Sequence, residues 1–332
     1  MNIFKRPFLQ RGYFIILFAL IILPANSTYA KEDFEIKHAD SLETENQVIL
    51  IKGNINIEYK DAKIEAPEGK IETTNQGEPY IAFFTNRAKL QLKDRRLEAD
   101  KISVLIQEKK IIAEGHVNSE LKDKKQVPII ISSDYQELFW SGENANIMGN
   151  VLTKYQDMKI TSDEAKIIYK NKSPIQAIFT GISQQATLAQ PTNSTLADNF
   201  LFDIKTHNVQ AKGNVISTIW TDKTKPVNKE DSIYLETESL YIDDLTGTIT
   251  AKSQEKKVNL NYQTTHGKSQ EAHLLRDNDT KKPEKIIFIG NADVSQDDKQ
   301  LQSEEIVLNF DDKKLTSNTK TNIRPKTLIF RR

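Results

Sequence analysis

No cysteine occurs anywhere in the 332 residues. Disulfides, thiolate catalysis and cysteine-based metal sites are therefore excluded, and stability must come from strand pairing and packing. An excess of charge of one sign is also missing, because 46 Lys and Arg balance 46 Asp and Glu. Nucleic acids and anionic membrane surfaces select a basic surplus, so neither is expected as the main partner. Hydrophobic residues make up only 38%, which points to the thin core of a sheet sandwich or solenoid. Beyond the first thirty residues there is no long apolar run and no sustained 3.6-residue periodicity. Further membrane helices and helical bundles are thereby removed from consideration.

Catalytic patterns are absent as well. There is no Gly-x-Ser-x-Gly, no phosphate loop and no zinc-protease motif. The histidines, His38, His116, His207, His266 and His273, show no ligand spacing. No enzymatic activity, cofactor or metal is expected. Recurring Asp and Glu residues suit turns and solvent-facing strand positions better than a glycosidase pair. Trp140 and Trp220 each end a strand-like run, where edge packing is the default; Phe83, Phe84, Phe139 and Phe288 read as core.

What is present begins with export grammar. Lys5, Arg6 and Arg11 precede an apolar run from Tyr13 to Leu23, Pro24 breaks it, and Thr28-Tyr29-Ala30 fits a small-x-small cleavage site. The run is short for a membrane span, which needs ~20 residues. Residues 1–30 are read as a cleaved signal peptide, and no Cys follows to mark a lipoprotein.

The remainder is a repeat. Gly53-Asn54, Gly115-His116, Gly149-Asn150, Gly213-Asn214 and Gly290-Asn291 each sit inside an alternating run. Around Gly53 the alternate residues are Ile49, Ile51, Ile55 and Ile57; around Gly149 they are Ala145, Ile147, Val151 and Thr153. Period-2 alternation marks a half-buried strand. A glycine in such a strand marks a bend, a bulge or a close approach. An Asp follows eight residues later at Asp61, Asp123, Asp157 and Asp298, where a turn is due. Asn86 stands in for the glycine in one copy, and Gly181 and Gly247 mark two weaker ones, Gly247 with Leu245, Ile249 and Ala251 on its face. Roughly eight units and sixteen strands follow from this spacing. The polar stretches Gln184–Asn199, Thr221–Asp231 and Asp277–Glu284 read as loops.

A strand-turn-strand unit cannot bury its apolar face alone, so neighbouring units must stack into a folded-over or two-sheet body with open edges. The inward face mixes Ile and Val with Gly, Ala, Ser and Thr. Two readings stay open: large residues of the opposite sheet fill the space, or it forms a groove for acyl chains.

The pattern resembles the OstA-type repeat of the periplasmic lipopolysaccharide-transport proteins LptA, LptC and the N-terminal domain of LptD. It is carried by Ala145-Asn146-Ile147-Met148-Gly149-Asn150-Val151, then Asp157-Met158-Lys159-Ile160-Thr161-Ser162-Asp163-Glu164-Ala165, by Ile286 to Val294, and by Leu97-Glu98-Ala99-Asp100-Lys101-Ile102. The resemblance implies an all-β jellyroll, with an OstA-like region at 31–182 and a second at 183–332, either separate from the first or continuous with it. It implies a periplasmic, non-catalytic bridge that carries lipopolysaccharide or another acylated lipid from the inner to the outer membrane. Inner-membrane-anchored and outer-membrane partners would join by edge-strand pairing, and end-to-end self-association is compatible with the same edges. Ile55, Ile57, Val117, Val151 and Val215 are the expected lipid-binding residues. An uncleaved N-terminal segment would favour the membrane-anchored member of the system. The alternative is a structural or adhesive β-repeat protein of the cell envelope with a filled core. A carbohydrate-active β-helix enzyme would need carboxylates clustered on one face, which the sequence does not show.

Overall fold

The computed structural model describes residues 34–92, 95–140, 142, 144–171, 173–221, 232–277, 280, 282–317 and 326–329. The expected signal segment and nearly all of the 221–231 loop lie outside the described residues. In chain order, β1 (Phe34–His38) and β2 (Ser41–Glu45) share one pass across the sheet. Unbroken passes follow: β3 (Val48–Tyr59), β4 (Ala62–Thr73), β5 (Pro79–Leu92), β6 (Arg95–Leu105), β7 (Lys110–Lys122), β8 (Pro128–Phe139), β9 (Asn144–Tyr155) and β10 (Met158–Lys170). β11 (Ser173–Thr180) and β12 (Ala186–Gln190) share the next pass, and β13 (Asn193–Ala197) and β14 (Asn199–Asp203) the one after. β15 (Val209–Trp220) and β16 (Ser232–Ile242) are whole again. Two split passes come next, β17 (Ile249–Lys252) with β18 (Val258–Tyr262), and β19 (Thr265–Ser269) with β20 (Glu271–Arg276). β21 (Pro283–Gln296), β22 (Lys299–Asn309), and β23 (Leu315–Ser317) with β24 (Lys326–Ile329) complete the series.

Successive passes pair antiparallel, as in β3 with β4, β7 with β8 and β15 with β16. Among the described residues they form one sheet of 24 strands, against roughly sixteen expected, chiefly because interrupted passes count twice. The stretch Gln184–Asn199 is not a loop. It holds β12 and β13, which bury Ala186, Leu188, Thr195 and Ala197 and pair with each other, with β10 and with β15. Its residues are small and polar, so their alternation in hydropathy is faint; the flanking ladders supply the order.

Among the described residues the passes bend near their middle, and the glycines show how. Gly53 and Asn54 have φ of 71° and 46°, Gly149 and Asn150 76° and 47°, Gly213 and Asn214 77° and 45°. Two successive left-handed residues form a bulge, and the register shifts there, between Lys52 and Ile55 against β4 and between Lys212 and Val215 against β16. Glycine takes this conformation without steric cost and asparagine takes it more readily than most residues. A further constraint comes from the preceding pass. A Cβ on Gly149 would lie 2.5 Å from Asp134 Oδ2, and one on Gly115 2.6 Å from Asp100 Oδ2. The same carboxylates accept from the residue after the glycine: Asn54 Nδ2 donates to Asp40 at 3.0 Å, Asn150 to Asp134 at 2.7 Å and Asn214 to Asp198 at 3.0 Å. His116 Nδ1 lies 2.7 Å from Asp100. A row of such pairs runs along the fold line of the sheet.

Two weaker copies bend by another device. In β11–β12 the Asp163 carboxylate accepts from the backbone N–H of Ile182 and Ser183, both at 2.6 Å. In β17–β18 Glu238 accepts from Gln254 N–H at 2.8 Å and Lys256 N–H at 2.8 Å. Gly247 is therefore not a bend glycine. It lies in the turn between β16 and β17, where its N–H donates to Asp243 O, and Leu245 is 84% exposed. The bend of that pass falls at residues 253–257, between β17 and β18.

Bending doubles the sheet so that both halves of each pass face one apolar interior. The core is a single cluster from Ile51 to Leu308. Phe84 and Phe288 belong to it, whereas Phe83 and Phe139 point outward, under Lys70 and Lys101 and under Lys110 respectively. Adjacent strand residues face opposite sides, so Phe83 and Phe84 cannot both be core.

Candidate functional site

The residues expected to line a groove all lie in the interior. Ile55, Ile57, Val117, Val151 and Val215 are at most 1% exposed and belong to the one core cluster. Small inward residues opposite them are matched by large ones: a Cβ on Gly267 would meet the Phe288 ring at 2.3 Å, and one on Gly69 would meet Ile55 and Phe84 at 3.2 Å. Complementary packing of this kind has the density of a protein interior.

Doubling the sheet creates a second feature, a seam where its two rims of turns meet. One rim carries the turns after β3, β5, β7 and β9; the other carries those after β4, β6, β8 and β10. Side chains close the seam from both sides. Tyr59 at the end of β3 packs edge-on to Trp140, just beyond β8, with ring centroids 4.8 Å apart, and Lys60 stands over the Trp140 ring. Arg95 of β6 lies over Tyr169 of β10 at 4.8 Å. Tyr262 of β18 meets Phe310, after β22, at 4.9 Å. Such ring contacts contribute about 0.5–1.5 kcal/mol each beyond area burial.

A polar chain crosses the same seam. The Tyr155 phenol donates to Asp123 Oδ2 at 2.9 Å, and His207 Nε2 lies 2.8 Å from the phenol oxygen. Because the phenol proton is directed at Asp123, His207 Nε2 is the donor of the second bond. Asp244 Oδ2 is 3.4 Å from His207 Nδ1. Asp123 also accepts from the backbone N–H of Lys125 and Val127. Burial first, then the bond to Asp123, pushes the Tyr155 phenol well above its ordinary range.

Two cavities open along the seam. The larger, about 610 Å³, is lined by Leu92, Arg95, Ile111, Leu121, Leu138 and Trp140 among others. The smaller, about 230 Å³, touches Tyr155, His207, Asp244 and Arg276. Desolvation pulls both Arg95 and Arg276 down to about 10. Among the described residues no cluster of three or more His, Cys, Asp or Glu is placed to hold a metal ion. His266 bonds Asn261 and His273 pairs with Glu271, so the two histidines do not converge on one point.

Sequence reasoning missed the seam and the carboxylate row. The second left a trace, since a small residue followed by Asp recurs at Ala39-Asp40, Ala99-Asp100, Ser133-Asp134 and Ala197-Asp198. The cross-seam pairs have no sequence period, because they join residues far apart in the chain, such as Arg95 and Tyr169.

Residues 130–241 match the family described as LptA/(LptD N-terminal domain) LPS transport protein. The matched segment holds the Gly149 and Gly213 bends, so it lies within the repeat read from the residues. This family is one of transport proteins rather than catalysts. No curated protein matches the chain. A solved structure that resembles it is LptH, the LptA homologous periplasmic component of the lipopolysaccharide transport device from Pseudomonas aeruginosa. Identity is 10%, over 46% of this chain and 82% of that one, with a TM-score of 0.26, too low for a shared fold to follow.

Proposed function

With an LptA/LptD N-terminal segment of lipopolysaccharide-transport type at residues 130–241 as the premise, we propose that this chain is a periplasmic bridge that carries an acylated lipid, lipopolysaccharide first, between the two membranes. The observation that carries the reading is continuity. The bent pass with an inward apolar face runs through the matched segment and on either side of it, from the bend at Gly53 to that at Gly290. Acyl chains would be buried along this interior at about 0.8 kcal/mol per methylene, against Ile55, Ile57, Val117, Val151 and Val215. Those side chains are enclosed, so loading requires the rims to part at the seam. The open edges, β1–β2 at one end and β23–β24 at the other, would pair with the inner-membrane-anchored and outer-membrane partners or with a second copy. The two repeat regions, 31–182 and 183–332, would act as one conduit.

A charge at Val151 does not isolate lipid contact, since an unpaired buried carboxylate costs several kcal/mol by itself. A removable lock on the seam does. Asp157 and Asp244 line one cavity from opposite rims, and the chain has no native cysteine. Asp157→Cys with Asp244→Cys, joined by a short reducible bis-maleimide, should lose capture of radiolabelled lipopolysaccharide and regain it on reduction. Undiminished capture by the linked protein would remove the interior from the proposal.

One observation favours a second reading. The core is filled, with Phe288 over Gly267 and Phe84 close to Gly69, as a structural or adhesive repeat protein of the envelope requires. That reading expects no lipid capture in either state.

A further inference from the structure

Among the described residues the contacts of Arg95 do not offset the cost of its burial. It is half-buried at the start of β6, and among the described residues no carboxylate forms an ion pair with it. Its partner is the Tyr169 ring at 4.8 Å. A cation over a ring offsets only part of what it costs to draw a charge partly out of water. The guanidinium borders the 610 Å³ seam cavity, within the ~300–1,000 Å³ of small-molecule sites.

The rest of the lining is amphipathic. Ile111, Leu121 and Leu138 are buried core side chains, and Trp140 closes one side. Among the described residues the charged groups at the cavity are Arg95, Lys122 and Lys124 against Asp61 and Asp123, a surplus of one positive charge. The Asp123 carboxylate is turned to the Tyr155 phenol and to the backbone N–H groups of Lys125 and Val127, so it does not cover the guanidinium. A planar guanidinium fork matches the two oxygens of a carboxylate or phosphate.

We propose that the seam cavity beside Arg95 binds a single-chain anionic amphiphile, its carboxylate or phosphate on the guanidinium and its alkyl tail along Ile111, Leu121, Leu138 and Trp140. The site goes beyond the bridge reading and does not depend on it. It is formed with the rims closed, and it has the volume of a small-molecule site rather than of an extended interior.

Titration of the intact mature chain with the fluorescent fatty acid parinaric acid tests this. Saturable one-to-one binding is expected, displaced by dodecyl phosphate but not by inorganic phosphate or neutral dodecyl maltoside. Arg95→Gln should weaken it at least tenfold, about 1.4 kcal/mol, and Arg95→Lys should weaken it less. Leu121→Trp, which fills the cavity from its floor, should remove it. Thermal melts of each variant keep folding separate from binding. Absence of saturable binding, or equal affinity in Arg95→Gln, would overturn the proposal. Displacement by inorganic phosphate would overturn it too, leaving a plain anion site. The seam-linked protein separates the two readings: parinaric acid should still bind when lipopolysaccharide capture is blocked.

Discussion

His116 takes the position that asparagine holds in the other glycine bends, and it keeps the asparagine's task. Its Nδ1 lies 2.7 Å from Asp100, and this bond, followed by the attraction of the same carboxylate, raises its pKa above 6.5. A histidine whose folded pKa is raised contributes stability that is fully present below its unfolded value and is lost as pH rises through the folded one. The ring is exposed, so the effect is read better at the residue than in the stability of the whole. The expected outcome is an NMR titration of His116 centred above 6.5, returning toward it in Asp100→Asn. An unchanged midpoint in that variant would show that Asp100 is not the cause. Replacement by asparagine should keep the bond at the bend and remove its titration.

The bend is the recurrent device at the level of the strand, and glycine is required there for two separable reasons. Gly77, in the turn between β4 and β5, has φ of 83° and nothing within 4 Å of the position that a methyl group would take. Gly149 has φ of 76° and the Asp134 carboxylate 2.5 Å from that position. Gly77→Ala should therefore cost only the backbone strain of a left-handed alanine, about 1 kcal/mol. Gly149→Ala adds displacement of the carboxylate that receives Asn150, and should cost about 1–3 kcal/mol more. Urea unfolding of both variants compares them directly. Equal losses would mean that the neighbouring strand gives way freely at the fold line.

For the molecule as a whole, the ends of the sheet decide what can be added to it. Among the described residues β1 and β2 pair only with β3, which leaves their outer backbone groups open. β2 is exposed throughout, with Glu43 and Glu45 flanking Thr44, the kind of charged edge that discourages indiscriminate pairing. Specific pairing remains open to a complementary edge. Proline removes a backbone donor, so one of Leu42→Pro and Glu43→Pro strikes an outward N–H without disturbing β3. If copies join end to end, sedimentation velocity should show concentration-dependent association that this variant reduces. A wild-type chain that stays monomeric over the same range would rule out self-pairing and leave the edges to other partners.

Much of this was readable in the residues because parity survives the bend in the glycine strands. In β3, Ile51 and Ile55 flank Gly53-Asn54 and both face inward, so the period-2 pattern runs through unbroken. In the partner strands parity flips at the bend, from Leu97 and Ala99 to Ile102 and Val104 in β6, and only half of each run reads cleanly. Sequence by itself thus determined an all-β repeat, the place of the bends at Gly53, Gly115, Gly149, Gly213 and Gly290, and the inward set that includes Ile55, Ile57, Val117, Val151 and Val215. Only the tertiary structure decided that this inward set is enclosed and that Asp40, Asp100, Asp134 and Asp198 hold the fold line. It also brought Arg95 to Tyr169 across a seam. Periodicity records which face a side chain takes within its own strand; what stands opposite that face is set by how far the sheet has rolled, and no local spacing encodes that distance.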